Sequence, residues 1–235
     1  MTTMNYKTQN IGVKMKIYNT IAFDLDGTLT DPKKGLTSAF AYGLSKVGVD
    51  YGGDKESLKK FIGPPLRDSF RDEYSLSDKD ADDALVYFRE YFGVYGWWDN
   101  ELYEGIHDLL SSLKMAGKKI VLATSKPEVY SAKILKLFDI EKYFDFSEGA
   151  SFDSSRERKC DVLEYALSKV GADSEQEKES AILVGDTHYD VEGANVCGID
   201  SIAVTYGYGS EANLRAMGAT YIARSVEEVK RILLG

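Results

Sequence analysis

Residues 17–30 read IYNTIAFDLDGTLT, an apolar run followed at once by two aspartates and a glycine. A short run rich in apolar, β-branched and aromatic residues and bounded by Gly is typical of a buried strand. Because residues two apart in a strand lean the same way, we expect Asp24 and Asp26 to face one small volume. Ligands of open α/β sheets bind beyond the carboxyl ends of the strands, so this stretch predicts an active site.

Two neighbouring carboxylates repel each other unless a cation neutralises them. Mg²⁺ is a hard cation that binds one or two carboxylates, several waters and a substrate phosphate. Asp24 and Asp26 are therefore candidates for a magnesium site.

The composition is that of a globular protein with a full core. The 235 residues are 43% hydrophobic and 29% charged, enough for one large domain or two modest ones. A net charge of −9 argues against a nucleic-acid-binding surface, which needs clustered Lys and Arg. The only cysteines and histidines are Cys160, Cys197, His107 and His188. They exclude a closed Cys/His zinc site and a disulfide framework, and they fit a reducing, cytoplasmic setting.

The sequence offers no candidate membrane segment. No stretch reaches the roughly 18 apolar residues that a membrane span needs. Residues 1–16 are polar and lack the apolar centre of a signal peptide, so we expect a loosely ordered N-terminal extension.

The periodicity changes twice after the first strand. Residues 33–96 show only helical spacing, whereas strands and helices of about 10–15 residues alternate from Gly105 onward, which indicates parallel βαβ units. The predicted helices are 35–47, 55–61, 66–74, 78–92, one ending at 116, 127–138, 160–170, 188–197 and one from 226; the strands are 17–23, 119–124, 144–148, 181–184 and 201–205. We therefore predict an α/β, doubly wound, Rossmann-like core of residues 17–32 and 97–235, interrupted by a helical module of residues 33–96.

Two further polar groups follow predicted strands. Thr124, Ser125 and Lys126 supply hydroxyls and an ammonium suited to phosphate oxygens. Asp186 and Asp190 follow the strand 181–184 and lie one helical turn apart, on the same side. Parallel strands bring these groups to the same edge of the sheet as Asp24.

A third group, Arg156, Arg158 and Lys159, lies at a predicted helix start, where side-chain charge and backbone N–H groups can act together on an anion. Each group also has a structural explanation when it is taken alone. Asp-x-Asp-Gly is common in turns, Thr124 can cap the following helix, and Lys159 can be a solvated surface lysine. Four acids and several cations converging on one sheet edge are difficult to explain by structure alone.

The order of these motifs resembles the haloacid dehalogenase-like superfamily of aspartate-nucleophile phosphatases. The resemblance spans nearly the whole chain and consists of Asp24-Leu25-Asp26-Gly27-Thr28, then Thr124, then Lys159, then Gly185-Asp186 and Asp190. Four shorter segments, 31–33, 61–67, 123–127 and 206–210, resemble the branch of phosphoglycolate phosphatases and 5′-nucleotidase-like enzymes.

The resemblance implies a mechanism. Asp24 would attack phosphorus and form an aspartyl-phosphate, and Asp26 would protonate the leaving alkoxide and later deprotonate water. Thr124 and Lys159 would hold the phosphoryl oxygens, with Ser125 and Lys126 beside them. Mg²⁺ would be held by Asp24, the backbone carbonyl of Asp26, Asp186 and Asp190.

The helical module would then be a cap that closes over a small phosphate ester. Gly63 and Arg67 are its candidate substrate-binding residues. Arg67 could read a carboxylate, as in phosphoglycolate, whereas the aromatic side chains of the cap would favour a nucleobase. We expect no nucleic acid polymer or membrane as a partner.

Four other functions compete with a phosphatase. Gly207-Tyr208-Gly209-Ser210 could be a dinucleotide-binding turn, although a lone match is weak support and no acid follows at the end of a second strand. A non-catalytic binding protein would not need every charged motif residue. A phosphomutase of the same fold would use the same aspartyl-phosphate but return the phosphoryl group to a sugar. A dehalogenase would not need the acid Asp26.

Overall fold

The computed structural model describes residues 16–151, 156 and 158–235, and its central element is a five-stranded parallel sheet. The strand order is β4-β1-β5-β6-β7, and β2 and β3 form a separate antiparallel pair. The strands are β1 Thr20–Phe23, β2 Thr30–Asp31, β3 Glu101–Leu102, β4 Lys119–Leu122, β5 Ala181–Gly185, β6 Asp200–Val204 and β7 Tyr221–Ala223. All four pairings within the large sheet are parallel.

Helices cover both faces of this sheet. The α-helices of the described residues are α1 Lys33–Lys46, α2 Leu66–Tyr74, α3 Asp78–Tyr91, α4 Ile106–Met115, α5 Glu128–Leu137, α6 Lys159–Lys169, α7 Glu175–Lys178, α8 His188–Cys197, α9 Glu211–Ala216 and α10 Val226–Leu234; the first three of them do not cover the sheet. Strand β1 shows the two-sided burial, because Ile21 and Phe23 pack in one apolar cluster with α4 and α10. Ala22 packs in another cluster with α6 and α8. This alternation confirms the predicted doubly wound α/β fold.

The segment from α1 to Gly96 builds a separate apolar cluster. At its centre Phe40 meets Phe61, Phe70 and Phe88 at ring-centroid distances of 4.8–5.1 Å. The chain enters this helical cap after β2 and leaves it before β3, and the pairing of Thr30 with Leu102 holds the two connections side by side. The cap therefore joins the core through two adjacent crossings.

The structure corrects several predicted elements. Residues 144–148 do not form a strand; Phe146 makes one isolated bridge to Val121, and the carboxylate of Asp145 accepts the Ile120 N–H. Residues Lys55–Phe61 form a 3₁₀ helix rather than an α-helix. The helix ends there, since Gly63, Pro64 and Pro65 follow after Ile62.

The first strand is shorter than predicted and begins at Thr20, although Tyr18 before it is fully buried. The expected N-terminal extension lies outside the described residues, except for Lys16. Within the described part of the chain, no helix has the length and apolar character needed to cross a membrane.

Candidate active site

Three buried aspartates meet at the carboxyl edge of the sheet. Asp24 follows β1, Asp186 follows β5, and Asp190 lies in the first turn of α8. The register pairs Phe23 with Val184, so the residues after β1 and β5 emerge side by side. One carboxylate oxygen from each aspartate lies within 4.8 Å of the others. These three acids were expected to meet at this edge together with Asp26, which lies outside the cluster.

Lys159 lies between two of these acids. Its Nζ is 2.7 Å from Oδ1 of Asp24 and 2.8 Å from Oδ1 of Asp190, and it donates to the carbonyl of Ala123 at 3.0 Å. Burial alone would lower the pKa of Lys159, but Asp190 and Asp24 together raise it above its usual value. The ammonium therefore remains charged inside the site.

Burial has the opposite effect on the neighbouring acid. It raises the pKa of Asp24 to about 6, because the opposing attraction of Lys159 only partly offsets the lost hydration and Asp190 adds repulsion. Burial raises the pKa of Asp186 well above its ordinary value too, and Asp190 and Asp24 add to this rise. The cluster thus lacks positive charge to balance three carboxylates.

This donor set fits a magnesium ion. The three carboxylates are hard oxygen ligands, they are almost fully buried, and one ammonium is the only cation that contacts them among the described residues. Mg²⁺ prefers oxygen ligands of this kind. A divalent cation would offset both the lost hydration and the mutual repulsion, which together raise the pKa values of Asp24 and Asp186. Asp24, Asp186 and Asp190 are the residues that would hold it.

The loop after β6 packs directly on Asp186. The Tyr208 N–H donates to Oδ2 of Asp186 at 2.8 Å. A Cβ on Gly207 would lie 2.4 Å from that same oxygen, and one on Gly209 would lie 2.0 Å from the Asp186 carbonyl oxygen. These glycines are therefore required by the close approach of the loop to the acid, which gives them a structural role other than a dinucleotide-binding turn. Tyr208 was not among the predicted site residues.

Asp190 has two sets of partners. Its Oδ2 accepts the Thr187 N–H at 2.9 Å and the Thr187 hydroxyl at 2.8 Å, which closes a capping box at the start of α8. Its Oδ1 contacts Lys159. One carboxylate thus begins a helix and completes the acidic cluster.

Asp26 lies outside the cluster of three. Its carboxylate pairs with the buried ammonium of Lys126, which also lies 5.0 Å from the centre of the Phe92 ring. Asp26 Oδ1 is buried and has no hydrogen-bond partner within the described residues. The structure therefore places Lys126 beside the candidate acid–base residue, while one oxygen of that residue remains available.

Thr124 and Ser125 differ sharply in exposure. Thr124 is buried just beyond β4, and its hydroxyl oxygen accepts the Lys126 N–H at 3.3 Å. Ser125 is exposed. Thr124 thus lies at the same sheet edge as Asp24, with its hydroxyl in a local turn.

The two predicted substrate-binding residues of the cap, Gly63 and Arg67, lie in different environments. Arg67 bonds to Asp82 at 2.6 Å and to Asp78 at 3.1 Å, so its described partners all belong to the cap. Gly63 lies against the core: a Cβ there would be 3.1 Å from Cγ2 of Thr187, and its φ of +106° favours glycine. The structure therefore places Gly63 at the edge of the site, whereas Arg67 is paired with two acids of the cap.

The arginines predicted beside Lys159 do not join it. Arg158 pairs with Asp161 on the surface, and the Arg156 guanidinium lies 3.8 Å from the Tyr165 ring centre. Only Lys159 of this group reaches the acids.

The profile of the haloacid dehalogenase-like hydrolases matches residues 21–204, which include every acid of the cluster. The chain belongs to this family. The predicted resemblance is thereby confirmed. The 5′-nucleotidase of Pseudomonas aeruginosa is 35% identical over 216 residues, which cover 92% of this chain and 96% of that protein.

This member of the haloacid dehalogenase-like family is also similar to two other proteins. The crystal structure of a predicted phosphatase from Clostridium acetobutylicum superimposes with a TM-score of 0.86 at 43% identity, over 93% of this chain and 99% of that one. The tyrosine-protein kinase PtkA of Mycobacterium tuberculosis is 35% identical over 91% of this chain and 72% of its own length. The family and its hydrolase relatives support the prediction of a phosphatase.

Proposed function

We propose that this protein is a Mg²⁺-dependent phosphomonoester hydrolase that acts on a small phosphometabolite through an aspartyl-phosphate. The observation that carries the proposal is the contact of Asp24 with Lys159 inside a cluster of three buried aspartates. Phosphoryl transfer needs this combination, because catalysis rests on positioning and on charge stabilisation around the phosphoryl oxygens.

Each residue of the site has a separate role in the proposed reaction. Asp24 is the nucleophile, and Lys159, which donates to its carboxylate at 2.7 Å, orients it and would bind an equatorial phosphoryl oxygen. Thr124, from the next strand, supports another phosphoryl oxygen. When bound at Asp24, Asp186 and Asp190, Mg²⁺ would offset the repulsion between the nucleophile and a dianionic substrate. The backbone carbonyl of Asp26 is a further candidate ligand.

Asp26 is the proposed general acid and base. Its free Oδ1 can give a proton to the leaving oxygen and later take one from water, while Oδ2 stays paired with Lys126. The ammonium holds the carboxylate in one orientation. Lys126 is therefore better suited to positioning Asp26 than to the direct phosphate contact that its sequence position suggested.

Phosphoglycolate and nucleoside 5′-monophosphates are the two leading substrates, since the motif segments and the P. aeruginosa 5′-nucleotidase point to this branch. Transfer to an acceptor other than water is the second candidate. PtkA is a kinase by name and is as similar as the nucleotidase, and a phosphomutase would use the same aspartyl-phosphate.

The test is phosphate release from phosphoglycolate, nucleoside 5′-monophosphates, sugar phosphates and p-nitrophenyl phosphate, with Mg²⁺ and with chelator. We expect Mg²⁺-dependent release that Asp24→Asn abolishes. Asp108→Asn is the matched control, because this exposed aspartate pairs with Lys230 on the surface, away from the acidic cluster. Phosphate that appears on a sugar or on tyrosine, with little free phosphate, would favour transfer. No turnover of any compound would refute the proposal.

A further inference from the structure

A cleft of about 350 Å³ lies between the cap and the core on the site side of the sheet. Its cap wall carries Lys33, Lys59 and Lys60, and its core wall carries Tyr103, Tyr206 and Tyr208. We call it the lysine–tyrosine cleft. Three lysines thus line one wall in a chain with a net charge of −9.

The cleft adjoins the acidic cluster. Its lining includes Gly207 and Tyr208, and Gly207 approaches the Asp186 carboxylate so closely that a Cβ would lie 2.4 Å from Oδ2. The Tyr208 N–H donates to the same oxygen. The cleft therefore adjoins the acidic cluster at Asp186, on the side where the chain crosses into the cap.

Lys33 is the cation that the fold itself does not explain. Its side chain is half-buried, and it has no carboxylate partner within 4.0 Å among the described residues. It lies in the first turn of α1, where a positive charge is unfavourable to the helix dipole. The neighbouring Lys34 is more exposed and does pair, with Asp99 at 2.8 Å.

Asp31 carries the one carboxylate of the lining, and it forms no ion pair with the Lys33 ammonium within 4.0 Å. Oδ1 of Asp31 accepts the Lys33 N–H at 2.9 Å and the hydroxyl of Tyr208, so that oxygen is already engaged in holding the cleft walls. Lys59 and Lys60 pair with Glu56 and Glu73 of the cap, but both glutamates lie outside the lining. Among the described residues, Lys33 is therefore the one lysine of the lining that forms no ion pair, and tyrosine hydroxyl groups line the same cleft.

We infer that the lysine–tyrosine cleft binds a second anionic group of the substrate, carried by its leaving group, with Lys33 as the main contact. This inference rests on the proposed phosphatase function and narrows its substrate class to esters whose leaving group bears a carboxylate or a phosphate. Ammonium groups bind either anion through charge-assisted hydrogen bonds, and tyrosine hydroxyls can add neutral ones. A nucleoside, which is an uncharged leaving group, would leave Lys33 unpaired.

The experiment compares substrates that differ only in this charge. Phosphoglycolate is paired with its amide, and ethylene glycol bisphosphate is paired with 2-methoxyethyl phosphate, so that both members of each pair are alkyl esters and the two arms distinguish a carboxylate from a phosphate. The quantity measured is the ratio of kcat/KM for the anionic ester to kcat/KM for its neutral partner. We expect a ratio of at least about tenfold in one arm, since a hydrogen bond to a charged group contributes roughly that much.

Lys33→Met should reduce this ratio about tenfold, and Lys34→Met is the matched control that should keep it. Lys60→Met, on the exposed side of the cap, should lower the ratio less, and it serves as the second variant if Lys33→Met does not fold. A wild-type ratio near one in both arms, or equal ratios for Lys33→Met and Lys34→Met, would overturn the inference while leaving the phosphatase intact. Failure to hydrolyse any ester would instead refute the proposed function.

Discussion

Replacing Lys159 by Met removes the ammonium that contacts Asp24 at 2.7 Å and Asp190 at 2.8 Å. Breaking a buried ion pair by deleting one partner costs about 3–5 kcal/mol, because the remaining charge stays buried without compensation. For a chain of this size each kcal/mol lowers Tm by about 2–4 °C. We therefore expect Lys159→Met to lower Tm by about 6–20 °C at pH 8 in chelator.

The loss of thermal stability in Lys159→Met should be larger at high pH than at low pH. Burial already raises the pKa of Asp24 to about 6, and removing Lys159 takes away the main influence that lowers it. A carboxyl whose pKa is raised by folding destabilises the fold above that pKa and ceases to do so once it is protonated in both states. The difference in Tm between the wild type and Lys159→Met should therefore become smaller as the pH falls from 8 to 5.

The assay is thermal unfolding in chelator at both pH values, with Arg158→Met as the control. Arg158 is the preceding residue, and its pair with Asp161 is solvent-exposed, so its loss should cost no more than about 1 kcal/mol. A fall in Tm for Lys159→Met that matches the control, or that is the same at pH 5 and pH 8, would refute the reasoning.

Three further predictions concern the metal site and the cap. Mg²⁺ should raise Tm more at pH 8 than at pH 5, because protons compete with the metal for its ligands at the lower pH. The ligands concerned are Asp24, whose pKa is about 6, and Asp186, whose pKa is also raised; an equal rise in Tm at both pH values would contradict this prediction. Gly207→Ala should weaken Mg²⁺ binding in calorimetry by about 10–100-fold, because its Cβ would displace Asp186, and unchanged affinity would show that the loop relaxes without cost. Phe40→Ala should cost about 3–5 kcal/mol in urea unfolding, since Phe40 is fully buried in the cap, whereas Val86→Ala at a 61% exposed site should cost under about 1 kcal/mol.

The sequence predicted those features that depend on short-range patterns. Helix α8 begins and ends at the predicted residues, and Asp24 and Asp186 follow adjacent strands as expected. Both results rest on periodicity and on the rule that parallel strands share one carboxyl edge. The two-residue strands β2 and β3 carry no such signal, because two residues do not show a period.

The ion-pair partners of individual side chains could not be predicted from such short-range patterns. Lys126 pairs with Asp26, which lies 100 residues earlier, and this contact depends on the register of β1 with β4 and on the turn after β4. Arg67 was expected near the substrate, yet Asp78 and Asp82 from the next helix engage it. Side-chain direction in the cap follows from how α2 packs on α3, which spacing along the chain does not specify.

The shared carboxylate of Asp190 has a consequence for redesigning this protein. An Asn at this position would keep an acceptor for Thr187 but lose the charge that faces Lys159, whereas a Glu would carry the charge one methylene farther from the helix start. Neither substitution can preserve both sets of partners. The start of α8 is therefore not an independent module that can be exchanged among related scaffolds; a replacement helix must bring its own aspartate, in the same register, for the chemistry to be transplanted with it.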